Sequence, residues 1–143
     1  MELLGVVTIF GRVPSLNEVI EANRRNPYAG AELKRRTEAW IGYYIRQSVN
    51  RGACPAKITE PAAVHIAFTE KNRRRDLDNI YSGNKFILDA MQRTGLIEGD
   101  SQKTIRALWD TFSVGDAERI QVRIYRADGA EPPVFPDDGG RTT

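Results

Sequence analysis

Two stretches of this chain repeat apolar residues at helical spacing, and four have the composition of short strands. Their order, β-α-β-α-β-β, restricts the fold to a small mixed sheet with two main helices, an α/β or α+β domain. Residues 3–10, LLGVVTIF, are β-rich and are broken off by the glycine and proline of GRVPSLNE, which reads as a loop. From about residue 31 to 49, Leu33, Trp40, Ile41, Tyr44, Ile45 and Val49 recur at helical spacing, so an amphipathic helix is expected there, ended by NRGACP. In AAVHIAFTE, 62–70, Val64, Ile66 and Phe68 share one face of a second strand, and His65 lies opposite in a packing or interface role. NKFILDAMQRTG, 84–95, puts Phe86, Ile87, Ala90 and Met91 on one helical stripe and closes on Gly95, placed to end that helix. Two further strands, about 104–113 and 118–126, flank VGDAE and read as a hairpin. Trp109 lies on a strand that is apolar on both faces, as a central strand or a dimer contact would be.

This domain is expected to span residues 1–126. The remaining stretch, 127–143, is rich in proline and glycine with little to bury, and is expected to be a disordered tail. A chain of 143 residues can bury one core without staples, and its single cysteine, Cys54, excludes an internal disulfide and any cysteine-based zinc cluster. No apolar run approaches the ~20 residues of a membrane span, and the amino terminus lacks the basic segment and cleavage site of a secretory signal. The expected location is the cytoplasm, with no membrane partner. A net charge of +2 identifies no partner, because the placement of charge matters more than its sum. Sixteen of the 21 basic residues are arginine, whose planar fork suits phosphate oxygens. They gather at Arg24 and Arg25, beside Lys34 at Arg35 and Arg36, and at Arg73, Arg74 and Arg75.

The last cluster runs straight into acids: RRRDLDN, residues 73–79. On an extended segment Asp76 and Asp78 point to one side, and two carboxylates so placed repel each other unless a cation lies between them. Their oxygens are the hard ligands that Mg²⁺ or Mn²⁺ prefers. A third acid, Asp100, follows the second expected helix, and Lys85 and Asp89 share a face of that helix. Phosphodiester cleavage uses such parts: a metal to activate water and neutralise charge, and a nearby cation to assist. Plainer readings also fit. Asp-x-Asp pairs occur at strand ends, Asp78 or Asn79 can cap a helix, an arginine run is often a solvated face, and Lys85–Asp89 is an ordinary surface spacing. An EF-hand does not fit, because its loop would put a ligand at Ile80 and its glycine at Tyr81.

Taken as an ordered set, RRRDLDN, a following lysine, LDAM, a glycine and GDSQ resemble the RusA family of Holliday-junction resolvases, and the early VPSLNE resembles that family's Pro-Ser-x-Asn segment. The resemblance covers residues from about 6 to 125. It implies a homodimeric, Mg²⁺-dependent endonuclease, with Mn²⁺ as a substitute, that cuts branched four-way DNA junctions in paired symmetric nicks. It makes Asp76, Asp78 and Asp100 the metal-binding acids and Lys85 the essential lysine, with Asp89 and Glu98 as additional candidates. DNA contacts are expected from Arg73, Arg74, Arg75, Lys34, Arg35, Arg36, Arg24, Arg25 and Asn17. Two departures stand out. The lysine comes seven residues after Asp78, so that YSG looks inserted, and the acidic turn reads Glu-Gly-Asp where many members have adjacent aspartates. The variant spacing resembles a phage or prophage branch. The apolar first and last strands are the expected dimer interface. The rival readings are a general metal-dependent nuclease and a DNA-binding module without chemistry.

Overall fold

The computed structural model describes residues 2–99 and 103–127. The chain runs β1 (Leu3–Phe10), α1 (Leu16–Arg25), α2 (Pro27–Asn50), β2 (Ala62–Glu70), α3 (Leu77–Tyr81), α4 (Asn84–Arg93), β3 (Ile105–Val114) and β4 (Arg119–Arg126). It is a mixed α+β fold. The strands form one sheet in the order β1-β4-β2-β3, with β2 and β3 parallel and the other pairs antiparallel. A parallel pair needs a crossover, and α3 with α4 supplies it.

This order overturns the expected hairpin, because β3 and β4 flank β2 instead of each other. The reason lies in β2, where Ala62, Ala63, Val64, His65 and Ile66 are all buried, so that both faces of the strand and both edges must be covered. Four residues, 115–118, join β3 to β4. They can span about 13 Å, enough to step over one strand at ~4.8 Å per spacing, and the Gly115 N–H donates to Glu70 O on the way. The last strand is therefore interior and offers no edge for a dimer. The free edges are β1 and β3, and Trp109 stands on an edge strand, not a central one.

One sheet face is the core. Val7 and Ile9, then Ile120, Val122 and Ile124, then Val64, Ile66 and Phe68 lie in register and are almost wholly buried. Ile41 and Ile45 of α2 join them, as do Ile87 and Met91 of α4. Each such side chain contributes ~2–3 kcal/mol by leaving water. On the other face His65 is buried, its ring parallel to Trp109 at 4.8 Å, with Nε2 2.7 Å from Thr111 Oγ1. Packing is thus its role, as expected. Trp40 and Tyr44 pack against the core edge-to-face, at 6.0 Å.

The two expected helices are present, α2 starting earlier than its apolar repeat because Asn26 caps it and Pro27 opens it. α1 and α3 were not expected. Within the segment read as a loop, Ser15 and Glu18 form a reciprocal capping box that starts α1. Gly95, at φ 82°, follows Thr94, the C-cap of α4, and so ends that helix as expected. Gly83, between α3 and α4, allows Val13 to approach so closely that a Cβ there would collide with it. Ala127, within the segment expected to be a tail, is buried and donates its N–H to Pro61 O; 128–143 lie outside the described residues. Among the described residues no helix is long and apolar enough to cross a membrane.

Candidate functional site

The stretch RRRDLDN leaves the sheet at the C-terminal end of β2. Glu70, the last residue of β2, is buried, and Arg75 turns back to it with Nη1 3.2 and 3.3 Å from the two carboxylate oxygens. Arg75 also donates through Nη2 to Asn79 O at 3.2 Å. The Arg74 N–H donates to Asn72 Oδ1 at 3.0 Å, which tightens the turn between them. This arrangement sorts the three arginines. Arg75 faces in and is committed to the fold, whereas Arg73 and Arg74 are exposed and have no carboxylate partner among the described residues.

At Leu77 the chain turns helical, so the period-two argument for placing Asp76 and Asp78 on one side does not apply. Asp76 occupies the N-cap position of α3 and Asp78 its first turn. The Asp76 side chain makes no capping bond; its backbone carbonyl accepts from the Asn79 N–H instead. Both carboxylates are exposed and neither is in an ion pair among the described residues, although three arginines precede them. Asp76 lines a cleft of about 510 Å³ together with Arg73, Leu77, Phe112 and Val114; Asp78 does not line it. The helix α1, which carries Asn17 exposed in its first turn, packs beside α3. The helices that begin within VPSLNE and RRRDLDN are therefore neighbours in space.

Lys85 lies in the first turn of α4, beyond the break at Ser82 and Gly83 that the YSG segment makes. Its Nζ is 3.2 Å from Asp89 Oδ1, the spacing expected on a helix. An alternating chain of charges continues from there: Lys34 lies 3.8 Å from Asp89 and 3.9 Å from the buried Glu38, which Arg93 approaches to 3.2 Å. Lys85 lines two open cavities, one of about 370 Å³ with Glu38 and Arg93, the other of about 480 Å³ with Asn84, Trp109 and Asp110. It does not line the cleft that holds Asp76.

Asp110 was missed in the sequence, although a lone acid within the apolar run IRALWDTF marks it. Asn84 Nδ2 donates to both its oxygens, at 3.0 and 2.9 Å. Burial pushes its carboxyl above the ordinary range, and the Asn84 hydrogen bond opposes that.

Asp100 lies outside the described residues. The chain on either side of it is fixed at the N-terminal end of β2, where the Ile58 N–H donates to Leu96 O and the Ala62 N–H to Thr104 O. Asp76 follows the other end of that strand, whose nine residues span ~26 Å. Glu98, in the same connection as Asp100, is exposed. Among the described residues no three His, Cys, Asp or Glu side chains group closely enough to hold a metal ion. Asp76 and Asp78 still suit Mg²⁺ in kind, since that ion keeps several waters and takes one or two carboxylates plus substrate phosphate oxygens.

The remaining basic residues also divide. Arg24 and Arg25, in the last turn of α1, are exposed and have no ion-pair partner among the described residues. Arg35 grips Glu32 through two hydrogen bonds, at 3.0 and 2.5 Å, and holds that carboxyl below its ordinary range; Arg36 lies 3.7 Å from the same group. Compared with known proteins, the chain matches no family model and no curated protein.

Proposed function

We propose that this protein is a RusA-like, Mg²⁺-dependent DNA endonuclease of the cytoplasm that works as a homodimer to resolve four-way junctions. The observation that carries the reading is the state of Asp76 and Asp78: two exposed carboxylates, the first making no capping bond and both without an ion-pair partner among the described residues, beside two exposed arginines in the same state. Their staying apart leaves the acids for a cation and the arginines for phosphates.

Arg73 and Arg74 draw the DNA backbone to the loop, with Arg24 and Arg25 as a second contact. Asp76 and Asp78 would hold the divalent ion, which when bound lowers the pKa of a water and neutralises charge on the phosphate. Lys85, only lightly held by Asp89 in the free protein, exchanges that carboxylate for a phosphate oxygen. The third acid would come from the other protomer: a two-fold axis across the strands would bring the Asp76 end of one sheet to the N-terminal end of its partner's β2, where the described residues Leu96 and Thr104 are held. The same axis matches the approximate two-fold symmetry of a four-way junction and supplies two cuts.

Replacing Asp76 or Asp78 with asparagine is expected to lower cleavage at least ~100-fold, the equivalent of several kcal/mol of charge stabilisation, while junction binding persists. Variants that bind and cut like the wild type would exclude these acids from the chemistry.

A further inference from the structure

The cleft beside Asp76 has an apolar wall that phosphate hydrolysis does not require. Leu77 is 56 % exposed, Phe112 36 % and Val114 41 %, and all three line this cleft. Ile80 closes its floor, and Phe68 backs Phe112 in a parallel stack with centroids 5.5 Å apart, which fixes the plane of the ring. The rest of the rim is polar, with Asn72, Arg73, Asp76 and Ser113. Glu70 and Arg75 neutralise each other, so Arg73 and Asp76 set the local charge. With a divalent ion held at Asp76, as the nuclease reading has it, the rim would be net positive and would favour an anion. The site thus offers an apolar slot for a flat ring and, at its mouth, a place for the negative charge attached to that ring. A volume of about 510 Å³ is ample for one nucleotide.

Continuous duplex cannot fill such a slot, because its bases are stacked inside and only phosphates and groove edges reach the surface. An unstacked base can, and aromatic or apolar side chains bind bases without regard to sequence. We propose that the cleft receives one unstacked nucleobase of the strand whose phosphate lies at Arg73 and Asp76, with Leu77 and Phe112 as its walls. The protein thereby selects DNA whose bases are already unpaired or strained, as at a branch point. The position of the phosphate rests on the nuclease reading; the binding of the base does not.

The test uses the full-length protein and four-way junctions carrying 2-aminopurine at successive positions across the branch, with continuous duplex as control. Emission is expected to rise severalfold at one or two positions when the protein binds. Leu77→Ala, at an exposed position that leaves folding intact, should weaken junction binding about five- to tenfold and duplex binding less than twofold, and Phe112→Leu should do the same. Selective loss together with the emission change supports the base slot even if no strand is ever cut, a result that would end the nuclease reading alone. Cleavage with no emission change, and with junction and duplex affinity falling in parallel or not at all, would overturn the slot and leave the nuclease reading standing.

Discussion

Arg75 Nη1 lies 3.2 Å from Glu70 Oε1, while the adjacent Arg73 and Arg74 meet no carboxylate among the described residues. One guanidinium locks the loop to the end of β2 so that its neighbours can face outward. Arg75→Ala would strand Glu70, which is only 7 % exposed, and should destabilise the fold by about 3 kcal/mol in chemical denaturation. Arg73→Ala should change stability by less than about 0.5 kcal/mol. Equal effects would mean that the loop is not anchored through Arg75.

Binding to DNA should divide the basic residues the same way. Replacing Arg24, Arg25, Arg73 or Arg74 with alanine is expected to weaken junction and duplex binding alike and to reduce the slope of log K against log salt by about one each. Arg35→Ala should reduce it less, because Glu32 already offsets that charge. Slopes that do not change in the first four variants would remove those arginines from the interface.

Asp110 gives a pH dependence of defined sign. Burial raises its pKa in the folded state, so the folded protein holds this proton to higher pH than the unfolded chain does. Above both pKa values the charge costs stability, and that cost disappears as pH falls through the raised value toward the unfolded one near ~3.9. Asp110→Asn keeps an oxygen for the Asn84 amide and should be as stable as the wild type or more so at pH 7, by less than about 1 kcal/mol. The difference should shrink as pH approaches 4. Urea denaturation across that range measures it, and a difference that grows on acidification would contradict the assignment.

The proposed sharing of the site between protomers makes a prediction about mixtures. Asp76→Asn and Asp100→Asn should each be inactive alone. Mixed and re-equilibrated, they should recover about a quarter of wild-type nicking, since half of the dimers are mixed and each of these carries one intact site. The products should be single nicks, not paired cuts. A mixture as inactive as its components would place all three acids in one protomer or remove Asp100 from the site.

Much of the fold was legible because burial leaves a period. β1 and β2 follow their apolar composition over the expected residues, and β2 shows its alternation in Val64, Ile66 and Phe68. The order of the strands was less so. β3 and β4 are separated by only four residues, which reads as a hairpin; what excluded one was the burial of β2 on both faces, which demands a neighbour on each side. α1 was legible but passed over, since Ser15 and Glu18 stand at capping-box spacing. α3, with five residues, is too short to show a repeat. In the site, the acids and arginines were visible as residue types. Which arginine turns inward depends on Glu70 five residues away, and the alternation along β2 says nothing of the loop beyond it. Nor does spacing reveal that Lys85 and Asp76 line different cavities.

The most direct test of the account is cleavage of a synthetic four-way junction beside duplex and flap controls, with Mg²⁺ or EDTA, by the wild type and Asp78→Asn. The account predicts paired, symmetric nicks on the junction alone, present with Mg²⁺ and absent with EDTA or in the variant. Tight junction binding with no cutting in Mg²⁺ or Mn²⁺ would contradict it and leave a DNA-binding module whose acids have no chemical part.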